Sequence, residues 1–295
     1  MSLFKEEQVD GNIAESNALI SRVLVEHSPA AWVPLLSGGH DSICACHLAS
    51  MHPDAPDPFP VYHIDTGICS NYTRGYVQDR CDQFGWKLNI VKSPRECDTY
   101  EAFVRAKGMP GPGMHSRVYQ RIKERSIQHL AKTLSKGQRP VMFLSGSRRQ
   151  ESQRRMGYAV AVRRGDGLYK ETGHLRNPSR LWVAPCLEWV PCDQKHHMDE
   201  WDIPRNRVKD MLGLSGECFC GAMAGEDSKS KQSERELIKL HCPDVDREIT
   251  RLEEIARELG LPDKWGHKPP KPEPETAQEE SLFMDLCVGC QKKGE

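Results

Sequence analysis

The chain has 295 residues, a net charge of -1 at pH 7 and a mean hydropathy of -0.64. This length fits one large domain with a smaller appended region, and we expect two domains at most. The balanced charge excludes a protein coated with basic groups, so bulk charge does not indicate a nucleic-acid partner. No apolar run approaches the ~18 to 20 residues that cross a bilayer, so we expect no membrane partner.

The N-terminal sequence, Met-Ser-Leu-Phe-Lys-Glu-Glu, lacks the basic and then apolar pattern of a signal peptide. We therefore expect a cytoplasmic protein whose twelve cysteines stay reduced rather than forming disulfides. Residues from about Glu6 to Val25 carry apolar side chains at helical spacing, which predicts an N-terminal helix within residues 1–28.

Strand and helix patterns alternate after this helix. Strand-like apolar runs cover residues 31–36, 60–64, 87–91 and 141–144, and helix-compatible runs lie between them at 41–51, 73–84 and 118–134. This alternation predicts an α/β fold with a parallel sheet, which we place in residues 29–190. Ligands of such sheets bind at the carboxyl ends of strands, so the loops after the first, second and fourth strands should open on one edge.

The pattern changes near residue 191 to helices separated by cysteine-bearing turns. Residues 191–295 are therefore predicted as a mostly helical C-terminal region. Residues 264–279 hold four prolines among charged residues, which is typical of a linker or an extended arm. This arm would tether a last segment that contains Cys287 and Cys290.

The loop between the first strand and the next helix is suited to bind an anion. Backbone N–H groups and the positive helix end converge there, glycines allow close approach, and serine hydroxyls add hydrogen bonds. An ordinary glycine turn with a capping Asp is the alternative. The Walker pattern is not found in the sequence, which disfavours a GTPase-like function. The residues of the loop are Ser37, Gly38, Gly39, His40, Asp41 and Ser42.

This loop and further segments resemble one family of nucleotide-binding enzymes. The loop is similar to the PP-loop of N-type ATP pyrophosphatases, and residues 63–67, His-Ile-Asp-Thr-Gly, are similar to the second-strand motif of the phosphoadenylyl-sulfate (PAPS) reductase branch. Residues 145–155 resemble that branch's Gly-x-Arg-x-x-Glu-Ser-x-x-Arg block, and residues 119–123 are a looser counterpart of its Arg/Lys helix. The resemblance covers about residues 30–220.

The resemblance implies a Rossmann-like parallel sheet, of the adenine nucleotide alpha hydrolase type, that binds ATP or PAPS. It places the PP-loop on the phosphates and the loop of Asp65 beside the adenosine half. One departure is His40, because the branch usually has Lys there, and a neutral imidazole contributes less to phosphate binding than a fixed positive charge. The implied binding residues are Ser37, Gly38, Gly39, His40, Asp41, Ser42, Asp65, Thr66, Gly67, Gly146, Arg148, Glu151 and Arg155.

Residues 147–164 form a block with six arginines and one glutamate. Guanidinium groups bind phosphate or sulfate in bidentate fashion, so the block is predicted to receive an anion. A solvated charge run and a track for a nucleic-acid backbone are the alternatives. Tyr158 alone supplies an aromatic ring in the block, which gives base stacking little support.

The late cysteines form two close pairs, as a four-thiolate metal centre requires. Spacing does not separate a 4Fe-4S cluster from a structural zinc, and free thiols are a further alternative. The resemblance favours the cluster, because a cysteine-bearing turn after the segment from Trp182 to Trp189 is the iron–sulfur position in several relatives, including the sulfurtransferases of DNA phosphorothioation. Cys242 is a spare candidate. The predicted metal ligands are Cys218, Cys220, Cys287 and Cys290.

The C-terminus departs from thioredoxin-dependent PAPS reductases, which carry a catalytic cysteine in a Glu-Cys-Gly-Leu-His motif. This chain ends Cys-Val-Gly-Cys-Gln-Lys-Lys-Gly-Glu, with no matching segment. Cys290 could still act as a nucleophile, but Cys287 would then be its resolving partner and both would be lost as metal ligands. The two hypotheses compete.

The leading functional hypothesis is an enzyme that cleaves ATP between the α- and β-phosphates, adenylates an unknown acceptor and releases pyrophosphate, with sulfur transfer as a later step. Mg²⁺ would bridge phosphates near Asp41, and Arg148, Arg149 or Arg155 would stabilise the departing pyrophosphate. The alternative is reduction of PAPS or adenylyl sulfate by a cysteine nucleophile. A third hypothesis is a non-catalytic nucleotide-binding subunit of a nucleic-acid-directed CRISPR or defence system. A homodimer is compatible with each.

Overall fold

A computed structural model describes residues 3–136, 139–151, 161–165, 174, 177–224 and 234–267. For residues 3–10 and Glu151 it describes the backbone only. The predictions for Arg155, Tyr158, Cys287 and Cys290 therefore concern residues outside the described chain.

A parallel sheet forms the centre of the fold, as the sequence predicts. Strand β4 lies between β1 and β6, and all three are parallel, while β2 and β3 form a second parallel pair. A parallel bridge between Leu35 and Tyr62 joins these two groups into the order β3-β2-β1-β4-β6-β5, in which the edge strand β5 is antiparallel. The strands are β1 (Ala31–Pro34), β2 (Pro60–Ile64), β3 (Lys87–Val91), β4 (Val141–Leu144), β5 (Val162–Arg164) and β6 (Arg180–Val183).

Helices cover both faces of this sheet. Helix α6 packs on one face, and helices α1, α2 and α7 pack on the other. Among the described residues, no helix combines the length and the apolar character that a membrane crossing requires. The helices are α1 (Leu3–His27), α2 (His40–Ser50), α3 (Asn71–Phe84), α4 (Tyr100–Lys107), α5 (His115–Tyr119), α6 (Arg125–Leu134), α7 (Pro191–Glu200), α8 (Arg207–Leu212), α9 (Glu234–His241) and α10 (Pro243–Glu258).

The central strands are buried on both faces, which explains their continuous apolar sequences. Successive side chains of a strand point to opposite faces. Val33 and Phe143 accordingly pack with Ile127 of α6, whereas Trp32 and Met142 join the cluster under α1, α2 and α7. A third apolar cluster lies around α4 and α10 and includes Phe219, Cys220 and Trp265.

The structure adds features that the sequence patterns do not predict. Strands β5 and β6 were not expected, and the helix expected over residues 118–134 contains a π-helical stretch, Gln120–Glu124, between α5 and α6. Helix α7 contacts α1 and α2, and Met198 and Ile203 belong to the core cluster of the sheet. The first part of the predicted C-terminal region therefore packs onto the parallel-sheet fold.

Candidate functional site

The loops that follow β1 and β4 meet at the carboxyl edge of the sheet. A Cβ atom built on Gly146 would lie 2.4 Å from the carbonyl carbon of Asp41 and from the amide nitrogen of Ser42. Only a residue without a side chain permits this contact. The loop of Gly146 therefore touches the first turn of α2, as expected for neighbouring parallel strands.

The serine hydroxyls of the first loop bind within the loop itself. Ser42 Oγ donates to the carbonyl oxygen of Gly39 at 2.8 Å and accepts from the amide of Ser37 at 3.2 Å. The amide of Gly39 donates to Ser37 Oγ at 3.3 Å. These two hydroxyls thus shape the turn.

The start of α2 leaves backbone donors for an anion. The first intrahelical hydrogen bond runs from the amide of Ile43 to the carbonyl of Gly39, at 3.2 Å. The amides of His40, Asp41 and Ser42 precede it and have no carbonyl to bind within the helix. Together with the helix dipole, these amides make the start of α2 suited to an anion such as phosphate.

Two charged side chains predicted for the site bind each other. The carboxylate of Asp41 accepts hydrogen bonds from the guanidinium of Arg148 and from the side-chain amide of Gln194. Asp41 and Arg148 are only 14% and 12% exposed. The residue expected beside Mg²⁺ and a residue expected on phosphate therefore neutralise one another at the loop. Gln194 lies on α7, and no sequence signal pointed to it.

The imidazole of His40 is directed at residue 206 rather than at the anion-binding amides. Its ring is buried at 3% exposure, and Nε2 accepts a hydrogen bond from the backbone amide of Asn206 at 3.2 Å. Burial, aided by the positive charge of Arg205, lowers the pKa of His40 to about 4. The ring is therefore neutral at pH 7, as the sequence analysis assumed.

The loop after β2 is held by its own hydrogen bonds. The carboxylate of Asp65 accepts from the amide of Gly67 at 3.0 Å and from Arg74 at 3.2 Å, and Thr66 Oγ1 donates to the carbonyl of Glu217 at 2.6 Å. Asp65 thus lies at the carboxyl ends of the strands, with its carboxylate already bonded to Gly67 and Arg74. A cavity of about 230 Å³ opens beside it, lined by Gly67, Ile68, Cys69, Asn71, Arg74, Asp244, Val245 and Glu248.

The arginine block is described only in part. Arg149 Nε lies 3.1 and 3.0 Å from the two carboxylate oxygens of Glu188, a residue that is 69% exposed. Arg148 therefore contacts the loop residue Asp41, whereas the next residue, Arg149, pairs with Glu188. Glu151 lies in a short 3₁₀ helix, Arg149–Glu151.

Cys218 and Cys220 lie next to each other beside a buried ion pair. The hydrogen bond from the Cys218 thiol lowers the pKa of Cys220 to about 7 against the effect of burial, with help from the Ala222 amide and the Lys123 charge. The same bond raises the pKa of Cys218. Burial lowers the pKa of Lys123, but the negative charge and the hydrogen bond of the Glu217 carboxylate act in the opposite direction. The net result is that the pKa of Lys123 is raised. Within the described ranges, no three His, Cys, Asp or Glu residues are placed to hold a metal ion.

The chain resembles several solved structures at low sequence identity. PAPS reductase from Candida auris, in a phosphate complex, is 18% identical with a TM-score of 0.46 over 67% of this chain and 84% of that one. NMN synthetase from Francisella tularensis is 13% identical with a TM-score of 0.48 over 90% and 98%. The U34-tRNA thiolase from Methanococcus maripaludis, with its [4Fe-4S] cluster, is 11% identical with a TM-score of 0.43 over 87% and 80%.

The comparison of sequences gives the family directly. No curated protein matches the chain. The model of the phosphoadenosine phosphosulfate reductase domain matches residues 31–210, which contain β1, the anion-binding turn, the Asp65 loop and the Arg148 segment. Since this match covers more than half of the 295 residues, the chain belongs to the phosphoadenosine phosphosulfate reductase domain family and is a nucleotide-binding protein of the PP-loop type.

Proposed function

We propose that this protein binds ATP at the start of α2, cleaves it between the α- and β-phosphates and adenylates an acceptor, with release of pyrophosphate. The observation that carries the proposal is the set of amides of His40, Asp41 and Ser42, which precede the first intrahelical bond at Ile43. Three N–H donors at a helix start, together with the helix dipole, would stabilise the negative charge that develops on a departing pyrophosphate.

The Asp41–Arg148 pair favours a magnesium nucleotide over a sulfonucleotide. A half-buried carboxylate such as Asp41, beside an anion site, repels the anion unless a cation accompanies it. Arg148 supplies that cation in the structure. With Mg·ATP, Arg148 would turn to a phosphate while Asp41 faces Mg²⁺, so that each charge keeps a partner. A sulfonucleotide without a metal ion offers Asp41 no such replacement.

Reduction of PAPS or adenylyl sulfate by a C-terminal cysteine is the second candidate, and the match of residues 31–210 to the phosphoadenosine phosphosulfate reductase domain favours it. A thiolate would attack the sulfur of the sulfonucleotide, the sulfur–oxygen bond would break, and the nucleotide would leave with the electron pair. A second thiol would then attack the resulting S-sulfocysteine, forming a disulfide and releasing sulfite. An external dithiol would have to reduce that disulfide in each cycle.

Product analysis separates the two reactions. Anaerobically purified protein is incubated with labelled ATP and Mg²⁺, or with labelled PAPS and a dithiol, and AMP, ADP, pyrophosphate and sulfite are quantified. Formation of AMP and pyrophosphate supports ATP cleavage. Sulfite without pyrophosphate contradicts it, and ADP with phosphate would mean that the β–γ bond is cleaved.

We further propose that Cys218 and Cys220 hold a metal centre together with Cys287 and Cys290. The fit rests on two adjacent thiols, one of them close to ionisation at neutral pH, with the Lys123 ammonium nearby to offset thiolate charge. A 4Fe-4S cluster would supply electron transfer or a sulfur site when bound, whereas zinc would be structural.

The path of the chain supports this ligand set. The indole nitrogen of Trp265 donates to the carbonyl of Phe219 at 2.7 Å, and the amide of Gly266 donates to the carbonyl of Pro110 at 3.1 Å. Residue 266 is thereby fixed beside the first cysteine pair. The twenty residues between 266 and 287 are long enough to bring the second pair back to the first.

Metal analysis tests the centre. Protein purified without oxygen is assayed for iron, acid-labile sulfide and zinc, and Cys218→Ser should remove most of the bound metal. Cys97→Ser is the matched control, because Cys97 is exposed and lies in a different segment. Protein that contains neither iron nor zinc, or that keeps its metal in Cys218→Ser, would refute the proposed ligands.

A further inference from the structure

Asn206 is hydrogen-bonded to the loop that follows β1, although no sequence pattern pointed to this residue. Its side chain is 1% exposed, and the amide nitrogen donates to the carbonyl of Gly38 at 2.8 Å. The same nitrogen lies 3.3 Å from Thr73 Oγ1 and 3.2 Å from the carbonyl of Ser215. Its side-chain oxygen accepts from the amide of Val208 at 3.0 Å and so caps α8.

The backbone of Asn206 adds a second connection to the same turn. Its amide donates to Nε2 of His40 at 3.2 Å. Gly38 and His40 flank Gly39, so one asparagine holds the turn from both ends. We call this set of contacts, made by Asn206 with Gly38 and His40, the loop latch.

The turn has a conformation that requires such support. Gly38 has a φ of +83°, and the peptide planes on either side of Gly39 decide where the first amides of α2 point. An anion site of this kind depends on the directions of its N–H groups, because hydrogen bonds weaken steeply when they are misaligned. Fixing the carbonyl of Gly38 therefore fixes the donors that follow it.

His40 fits the latch because its ring is an acceptor. A buried neutral imidazole has one nitrogen that can accept a hydrogen bond, whereas a lysine ammonium has none. Burial keeps the ring neutral. Asp210 lies 3.9 Å from Nε2, and Arg205 in turn pairs with Asp210, so the charges around the ring are balanced.

We propose that Asn206 and His40 are positioning residues of the nucleotide site: by holding the turn at Gly38 and Gly39, they keep the amides at the start of α2 directed at a phosphate. This inference rests on the proposed binding of ATP at that loop. Neither side chain needs to touch the nucleotide for the latch to act.

Two substitutions separate the latch from simple stability. Asn206→Ser keeps an N-cap oxygen for α8 but loses the amide that reaches Gly38. His40→Leu removes the acceptor, whereas His40→Gln retains a side-chain oxygen near the position of Nε2. Asn89→Ser is the control, since Asn89 also donates to a backbone carbonyl, that of Val61 at 3.2 Å, but lies on β3.

Three properties are measured: the Kd for Mg·ATP, the kcat and KM of ATP cleavage, and the exchange rates of the backbone amides of residues 38–42. All measurements are made at a temperature well below the Tm of each variant. Asn206→Ser and His40→Leu should weaken ATP binding about tenfold or more and speed amide exchange in the turn. His40→Gln should recover most of the affinity that His40→Leu loses, and the control Asn89→Ser should stay within about threefold of the parent protein.

Failure of the latch and failure of the proposed function give different results. If the parent protein does not bind ATP, the proposed function fails, and amide exchange alone decides the latch. Unchanged exchange and unchanged affinity in folded Asn206→Ser and His40→Leu would overturn the latch. Equal losses in His40→Gln and His40→Leu would also overturn it, because the acceptor would then be irrelevant.

Discussion

Gly38 occupies a position in the anion-binding turn where only glycine fits. Its φ is +83°, and a Cβ atom there would lie 2.5 Å from Cγ2 of Thr73. We predict that Gly38→Ala lowers the free energy of unfolding by about 2 to 4 kcal/mol, because backbone strain and a steric clash add together. Urea unfolding measures this loss, and the Kd for ATP should rise in parallel.

Gly113 provides the matched control for this substitution. It also has a positive φ, +94°, but a Cβ atom would meet nothing within 4 Å. Gly113→Ala should therefore lower the free energy of unfolding only through backbone strain, by about 1 kcal/mol, and leave ATP binding unchanged. Equal effects of the two substitutions would show that the contact with Thr73 is unimportant.

The two neighbouring arginines should differ in their effect on nucleotide binding. Arg148 neutralises half-buried Asp41, whereas Arg149 pairs with exposed Glu188. Arg148→Met should weaken ATP binding about tenfold or more, because it removes the guanidinium that would turn to a phosphate of the bound nucleotide. Arg149→Met should change it less than about threefold, as exposed ion pairs contribute little. Calorimetric titration with Mg·ATP compares them, and an equal loss would place Arg149 on the nucleotide.

The sequence predicted the residues of the turn but not the residues that hold it. A strand, two glycines and a helix start are adjacent in the chain, so local pattern suffices to identify Gly38 and Gly39. Gln194 binds Asp41 across 153 residues, and Asn206 binds Gly38 across 168. The only local signal for Asn206 was its place before a helix, where asparagine is a favoured N-cap.

The region between α5 and α6 shows why a helical pattern predicted one continuous helix and missed the π-helical stretch within it. The π-helical stretch ends at Glu124, and three consecutive residues pair in three directions: Lys123 with Glu217, Glu124 with Arg180, and Arg125 with Asp98. Regular helical periodicity cannot anticipate such a stretch, which depends on distant partners. The stretch ties the cysteine segment, β6 and the region after β3 to one helix.

Helices α2 and α7 are joined by a buried histidine pair that should make stability depend on pH. Nδ1 of His47 lies 3.0 Å from Nε2 of His197. Burial lowers the pKa of His47 to about 3, with a further contribution from His197, and burial lowers the pKa of His197 to about 4. Because the unfolded chain binds protons more readily than the folded one, stability should fall as pH drops from about 6.5 towards 4.

The loss should be about 2 kcal/mol per imidazole between pH 7 and pH 5, measured by urea unfolding. The double variant His47→Asn/His197→Gln keeps amide groups near the two ring nitrogens and should remove most of this dependence. His27→Gln, at a partly exposed position, controls for removal of an imidazole. An unchanged pH profile in the double variant would assign acid sensitivity to other groups.

At the scale of the whole molecule, alternation of apolar runs was enough to predict the parallel sheet. Strands β1 and β4 are buried on both faces, so they have continuous apolar sequences that are easy to identify. Strand β5 has only three residues, Val-Arg-Arg, and β6 contains the buried Arg180, whose partner Glu124 lies 56 residues away. Tertiary pairing forms these two strands, and their local sequences are ambiguous.

Removal of the C-terminal residues after His267 helps to distinguish ATP cleavage from sulfonucleotide reduction. The apolar clusters of the described chain extend no further than Trp265, so a chain that ends at His267 should fold. If ATP is the substrate, this truncated chain should still form AMP and pyrophosphate, within about tenfold of the parent rate, while it loses the metal. Truncation then acts through the metal or stability, because no removed cysteine performs the chemical step.

If PAPS is reduced by a C-terminal cysteine instead, Cys290→Ser alone should abolish sulfite release and leave the affinity for PAPS nearly unchanged, since a nucleophile contributes to the transition state rather than to binding. The full-length chain with this one substitution is compared with Cys97→Ser, which alters an exposed cysteine of the described chain. Dithiol-dependent sulfite production that survives in Cys97→Ser and is lost in Cys290→Ser would replace ATP cleavage by reduction. Pyrophosphate release at equal rates in both variants, without sulfite, would retain ATP as the substrate and leave Cys290 to the metal centre.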